Sequence, residues 1–331
     1  MRAYYDRDCD PGLIQARKVA VIGYGSQGRT QALNARDSGV RDIVIALKPG
    51  SKSEAAAGAD GFEVKSVAEA VAAADVIVVL ASDEAHRDLW IDEIAPNIRP
   101  RSALIFAHGL SIRFGLMTPG PDLDVILVSP KGIGPRIREI YQQGEGVYCL
   151  FGVQQDATGT AHALGLSYAA ALGCGRKAIL ETTFADECES DLFGEQVVLC
   201  GGVSDLVHRA IETLTDAGYP QEVAWFECFY ELKLVVDLMF EKGIAGAFDK
   251  ISNTAEYGAY LTGPRIIGEP SRRAMQEVLA EVRDGSFVKK LMAEFDAGFP
   301  TVRAERARLK AHPMEQVGRD LTGLAEKGRS V

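Results

Sequence analysis

Lys18-Val19-Ala20-Val21-Ile22-Gly23 runs directly into Tyr24-Gly25-Ser26-Gln27-Gly28, and the residues from there to Arg36 have helical character. A short apolar strand, a G-x-G-x-x-G turn and a helix in that order form the fingerprint of a dinucleotide site. The glycines let the backbone approach a pyrophosphate seated on the helix N-terminus. Gly23, Tyr24, Gly25, Ser26, Gln27 and Gly28 are therefore expected to bind the cofactor.

The next apolar stretch, Asp42 to Leu47, reads as the following strand. At its end an NAD site carries an acid for the ribose 2′-hydroxyl. This chain continues Leu47-Lys48-Pro49-Gly50-Ser51-Lys52-Ser53 instead. A basic turn with Lys48, Ser51 and Ser53 and no acid suits a 2′-phosphate, so NADP(H) is expected over NAD(H). A merely solvated basic turn is the plain alternative.

Further strands are expected at Val76 to Leu80, Ala103 to Ala107, Val125 to Ser129 and Val147 to Val153, with helical stretches between them. Such alternation implies a Rossmann-like, doubly wound parallel sheet with ligands outside the carboxyl ends of its strands. From about Ala185 the pattern turns to helix only. Two domains follow: an α/β dinucleotide-binding domain over residues 1–182, and an all-α domain over 183–331 that holds two acidic pairs.

The helical part carries two acidic pairs at i,i+4 spacing, Asp191/Glu195 in DLFGE and Glu227/Glu231 in ECFYE. Residues four apart share a helical face, so each pair offers two carboxylates to one point. Mutual repulsion of such acids is relieved by a cation or a proton, and four together suit two Mg²⁺ ions. Solvated surface charge is the bland reading. It is weakened by apolar neighbours such as Phe193, Val197, Phe226, Leu234 and Val235, which predict buried helices.

At the strand ends, His108 follows Phe106-Ala107 and could act as acid, base or electrostatic stabiliser. Lys131 follows Val128-Ser129-Pro130 and could neutralise charge on a substrate carboxylate or carbonyl, with Gly134 allowing close approach to the nicotinamide half. Ser82, Asp83, Glu84 and Ala85, after the apolar run Val76 to Leu80, are expected near the cofactor pyrophosphate or ribose, although a surface loop fits them equally. Ser252 has the form of a helix N-cap. Glu231 is the acid expected closest to proton transfer.

The chain has 331 residues, 47% hydrophobic and 25% charged, with a formal net charge of −10. That charge argues against a general nucleic-acid or anionic-membrane surface. Anionic ligands must then be captured locally. No apolar run approaches the roughly 18 residues of a membrane span, and the start MRAYYDRDCD lacks the regions of a signal peptide. Six cysteines without C-x-x-C spacing suit free thiols in a reducing, cytoplasmic setting. Cys188 and Cys228 lie near the acidic pairs, but thiolates are poor ligands for a hard cation and read as packing.

Taken together, GYGSQG, LKPGSKS, AHG, PKG, CESDLFGEQVVLCGG, FECFYELKLVVDL and ISNTAEYGAYLTGPRII resemble the ketol-acid reductoisomerases of the short, class I type, over Tyr4 to about Leu321. The resemblance implies an enzyme of valine and isoleucine synthesis. With two Mg²⁺ and NADPH, such an enzyme shifts an alkyl group in 2-acetolactate or 2-aceto-2-hydroxybutanoate and reduces the resulting 2-oxo group. By matched motif, Asp191, Glu195, Glu227 and Glu231 would be metal ligands, His108 the active-site histidine and Ser252 a substrate contact. A knotted helical domain and a homodimer whose site uses both chains are also implied. Arg29-Thr30-Gln31 after the glycine turn, and Ile133 to Arg136 after PKG, depart from the family pattern. They leave room for a paralogue acting on another hydroxy-keto acid. A metal-independent hydroxyacid dehydrogenase and a non-catalytic NADPH-sensing protein are the competing expectations.

Overall fold

The computed structural model describes residues 1–328. The chain divides into two compact units, Met1–Ser190 and Asp191–Val331.

The first unit is built on a nine-stranded sheet. In chain order its strands are β1 (Ala3–Tyr4), β2 (Val19–Ile22), β3 (Ile43–Ala46), β4 (Glu63–Lys65), β5 (Val76–Val79), β6 (Ala103–Phe106), β7 (Asp124–Pro130), β8 (Tyr148–Gln155) and β9 (Ala178–Glu181). Their spatial order is β1-β9-β8-β7-β6-β5-β2-β3-β4. The central strands are continuous runs of Val, Ile, Leu and Ala because helices cover both faces, so neither side can be polar. Val19, Val21, Val76, Val78 and Ile105 pack into the core on one face. Ala20, Ile22, Ile77, Val79 and Phe106 pack into the core on the other. Each fully buried aliphatic side chain of this kind contributes roughly 1.5–3 kcal/mol.

The chain winds from β2 outward to β3 and β4, then returns to the other side of β2 as β5, β6 and β7. The carboxyl ends of β2 and β5 therefore flank the point where strand order reverses, the place where such sheets bind ligands. All pairings from β4 through β7 are parallel. Beyond them the expectation of a parallel sheet gives way to a mixed edge. β8 runs antiparallel to β7, β9 runs parallel to β8, and β1 runs antiparallel to β9. Because Lys131 N–H bonds to the Tyr148 carbonyl at 2.8 Å, β8 begins at the end where β7 stops. β1, β4 and β9 escape a sequence reading because they are two to four residues long and take their ladder bonds from neighbours.

The second unit is entirely helical among the described residues. Its helices include Gly201–Asp216, Glu231–Phe248, Asn253–Ile266, Glu269–Arg283, Ser286–Asp296, Pro300–Lys310 and Pro313–Gly328. Two stretches are π-helical, Glu195–Leu199 and Phe226–Tyr230. In the first, Cys200 N–H reaches five residues back to the Glu195 carbonyl at 2.9 Å. Single π-turns inside α-helices are uncommon and gather at functional sites. Gly243, with φ 74°, breaks the helix Glu231–Phe248.

The expectation that the apolar neighbours of the acidic pairs are buried is corrected here. Val198, Leu199, Phe226, Phe229, Leu234 and Val236 are exposed, and Phe240 is 82% exposed. A small core of Val207, Ile211, Ala224 and Met314 takes up one side of these helices within this unit. Single-chain packing leaves the other side bare, and apolar surface on this scale marks an interaction face. No helix among the described residues is long and apolar enough to cross a membrane.

Candidate active site

The glycine turn is shaped by contacts that exclude a side chain. Gly23 has φ +95°, and a Cβ there would lie 2.7 Å from both the Leu80 carbonyl oxygen and the Ala81 nitrogen, so the ends of β2 and β5 meet at this residue. A Cβ on Gly28 would fall 2.2 Å from the Gly23 carbonyl oxygen, which lets the helix Ser26–Asp37 seat tightly on the turn. No side chain caps that helix. Its first N–H groups and its dipole thus face the turn as an anion site.

Two residues expected at the cofactor also fasten the turn to the loop after β7. Gln27 Nε2 donates to the Gly132 carbonyl at 2.9 Å, and Gly134 N–H donates to Ser26 Oγ at 3.1 Å. Lys48, Ser51 and Ser53 lie on the connection leaving β3, the strand beside β2. Ser51 N–H bonds to the Lys48 carbonyl, and Ser53 N–H to Ser51 Oγ at 3.3 Å. Ser82 precedes a short 3-10 turn, Asp83–Ala85, at the end of β5.

Arg29, the departure next to the glycine turn, has a defined role. Its Nε and Nη2 donate to the two oxygens of Asp60 at 2.6 and 2.9 Å, and Tyr24 Oη donates to the same carboxylate at 2.8 Å. Arg29 above all, with Tyr24 and against the effect of burial, holds the Asp60 carboxyl down at about 2. Burial and the Asp60 hydrogen bond in turn push the Tyr24 phenol above its ordinary range.

At the rim of β6 and β7 the structure brings His108 and Lys131 onto one buried carboxylate, Glu187, which lies on the helix Phe184–Gly194. Glu187 Oε1 accepts from Lys131 Nζ at 2.7 Å and from Ser129 Oγ at 2.8 Å. Its Oε2 accepts from Gly109 N–H at 2.9 Å and lies 3.2 Å from His108 Nδ1. Burial by itself would raise the carboxyl, but His108 and Lys131 overcome it and hold Glu187 at about 2. Burial would likewise lower His108, yet hydrogen bonding to Cys188 and Glu187, with the charges of Glu187 and Asp83, raises it to about 11. Of the roles open to His108, its charged, hydrogen-donating form is therefore the one present at neutral pH. His86 is the contrast: buried, with Nδ1 2.6 Å from Ser111 Oγ and Nε2 3.0 Å from the Ala81 carbonyl, it is pushed down by burial and stays neutral.

Sequence reasoning missed Glu187. The signal was present, because Glu187, Asp191 and Glu195 continue a single i,i+4 series. Asp191 follows Glu187 by one turn of the same helix, and Glu195 opens the π-turn. Glu227 lies inside the second π-turn and Glu231 begins the helix after it, both exposed. Asp191, Glu195, Glu227 and Glu231 offer only carboxylate oxygens, the ligand type that a hard dication such as Mg²⁺ takes. Cys228 packs against the small helical core, and Cys188 is fully buried. Ser252 caps the helix Asn253–Ile266, its Oγ accepting from Ala255 N–H at 3.2 Å.

Comparison with known proteins identifies the family. Residues 13–178 match the family model described as acetohydroxy acid isomeroreductase, NADPH-binding domain. Residues 184–327 match ketol-acid reductoisomerase, C-terminal domain. The chain is similar to an NADH-preferring ketol-acid reductoisomerase from an uncultured archean, at 39% identity and TM-score 0.94, over 98% of this chain and 99% of that one. More distant likenesses show the fold alone. A semialdehyde dehydrogenase NAD-binding protein from Cupriavidus necator is 18% identical with TM-score 0.60, over 81% of this chain and 99% of that one. Plasmodium falciparum pyrroline carboxylate reductase is 15% identical with TM-score 0.51, over 82% and 98%. With a glycine turn at the strand-order reversal and both domain models matched across nearly the whole chain, this protein belongs to the ketol-acid reductoisomerase family of enzymes.

Proposed function

We propose that the enzyme converts 2-acetolactate and 2-aceto-2-hydroxybutanoate to 2,3-dihydroxy acids, by alkyl migration followed by reduction with NADPH, in branched-chain amino-acid synthesis in the cytoplasm. Residues 1–182 would bind the coenzyme, and residues 183–331 would carry the metal ligands and the dimer contacts. The observation that carries the reading is the Glu187 cluster, which sets two cationic donors, His108 and Lys131, at the ligand-binding edge of the sheet.

Two Mg²⁺ held by Asp191, Glu195, Glu227 and Glu231 would supply acidification of the substrate hydroxyl and polarisation of its carbonyl. The rest is the work of the chain. Lys131 Nζ and the His108 imidazolium, fixed by a carboxylate that stays ionised, offer donors toward negative charge developing on substrate oxygen. Glu231 is assigned the proton removed from the hydroxyl. Ser252 Oγ, already accepting from Ala255, keeps its own proton to donate to substrate. Hydride delivery is coenzyme chemistry, and the glycine turn, with Ser82 to Ala85 and Gly134 beside it, positions and shields it.

For the coenzyme we favour NADPH, although a relative is described as NADH-preferring. Lys48, Ser51 and Ser53 can meet a 2′-phosphate, and the carboxylate bonded to Tyr24 of the turn is neutralised by Arg29. The bare apolar face of the helical unit supports a homodimer. An NADPH-oxidation assay with Mg²⁺ against 2-acetolactate, 2-aceto-2-hydroxybutanoate and simple 2-oxo acids tests the whole reading. Turnover of the two acetohydroxy acids, abolished by EDTA, is expected. Activity on simple 2-oxo acids that survives EDTA would overturn it in favour of a metal-independent dehydrogenase.

A further inference from the structure

At the amino ends of β5, β6 and β7, the sheet edge opposite the coenzyme turn, lies a cavity of 380 Å³. Its wall carries Arg17, Arg99 and Arg101 together with Asp75, Asp124 and Thr160. The acids are engaged by the protein. Asp75 pairs with Arg99 at 2.8 Å and accepts from Lys18 N–H at 3.0 Å. Asp124, 1% exposed, accepts from Thr158 N–H at 2.9 Å and Thr158 Oγ1 at 2.7 Å. Arg17 and Arg101 differ: among the described residues neither guanidinium has a hydrogen-bond or ion-pair partner.

Arg101 is also costly to place. Arg99-Pro100-Arg101-Ser102 closes a tight turn in which Ser102 N–H bonds to the Arg99 carbonyl at 3.2 Å, and Arg101 takes φ +66°. That position, two after the turn's start and one after proline, is where glycine or asparagine is favoured. A long, charged residue with a Cβ is carried there against a backbone preference, and it lines the cavity. The helix Ala161–Ala171 starts beside the cavity, but Asp156 Oδ1 accepts its first N–H, that of Ala161, at 3.0 Å, so the arginines and not this helix end carry the positive charge. Two guanidiniums left unpaired at one cavity, in a protein of net charge −10, form a local anion-attracting patch. The volume lies in the range of small-molecule pockets, well above what a bare phosphate fills.

We propose that this cavity binds a small phosphorylated molecule, its phosphoryl group gripped by Arg17 and Arg101, independently of the coenzyme. The probe is inorganic pyrophosphate, titrated calorimetrically into the full-length protein saturated with NADPH and free of divalent cations. One site per chain is expected. Arg17→Ala and Arg101→Gly should each weaken it by at least about tenfold, with the dissociation constant for NADPH unchanged. Glycine accepts a positive φ, so Arg101→Gly should melt at the same or a higher temperature than the parent. Unfolding therefore cannot account for its loss of binding. Pyrophosphate affinity unaltered in both variants, or no binding up to about 10 mM, would overturn the proposal, as would heat of binding that disappears once NADPH fills the coenzyme turn.

Discussion

Lys131 Nζ lies 2.7 Å from Glu187 Oε1, and the carboxylate it meets is fully buried, so the rim lysine is held by an acid donated from another element of the chain. The same carboxylate sits 3.2 Å from His108 Nδ1 through its second oxygen. One acid thus lies against both basic groups and, together with Cys188 and Asp83, raises the imidazole pKa.

Glu187→Gln keeps the shape and removes the charge. We expect kcat to fall by roughly a hundredfold, with NADPH affinity changed little, because positioning of the donors is lost while the glycine turn is untouched. The His108 resonance in an NMR pH titration should move from its raised value of about 11 toward the ordinary histidine range. A His108 that still titrates near its parental value would show that Glu187 does not control it.

Glu195→Gln tests the metal reading. Turnover should fall on the order of a hundredfold or more, with Mg²⁺ affinity reduced in the same variant. Near-normal activity would remove Glu195 from the proposed ligand set.

The coenzyme loop is tested by changing Ser51 and Ser53 together to Asp. Like charge placed beside a 2′-phosphate costs more than a lost hydrogen bond, so the ratio of kcat/KM for NADPH over NADH should drop by about tenfold or more. An unchanged ratio would mean that this loop does not read the phosphate.

Asp60 gives a pH dependence with a definite sign. Its folded pKa, held at about 2 by Arg29, lies below the ordinary value of 3.8. The stabilisation is therefore fully present above about pH 4 and is lost as the pH falls through about 2. Arg29 is half exposed, which screens the pair to on the order of 1 kcal/mol. Arg29→Ala should lower the melting temperature at pH 7, with the gap to the parent narrowing as the pH drops from about 4 to about 2. A constant gap across that range would assign the effect to something other than the ion pair.

The uncovered helical face predicts self-association. Phe240→Asp places a charge on a residue that is 82% exposed in the single chain. If that face joins two copies, light scattering should show the parent as at least a dimer and the variant shifted toward monomer by a measurable fraction. A monomeric parent would leave the apolar face without this partner.

Much of the first unit is legible locally. Short apolar runs, each followed by a turn, define β2, β3, β5 and β6, and the G-x-G-x-x-G turn is readable from spacing, with backbone contacts at Gly23 and Gly28 that leave no room for a side chain. The acidic pairs and the helical character of the second half are legible for the same reason: helical spacing is a property of adjacent residues. Tertiary structure alone decided the rest. The antiparallel turn of β8 depends on where the chain re-enters the sheet, and the short strands β1 and β9 exist because neighbours offer them a ladder. The π-turns at Glu195 and Glu227 shift hydrogen bonding by one residue without a sequence pattern to announce it. The convergence of Gly109, Ser129, Lys131 and His108 on Glu187 joins residues up to 79 positions apart, and only the folded chain sets that buried carboxylate beside the histidine and so raises its pKa.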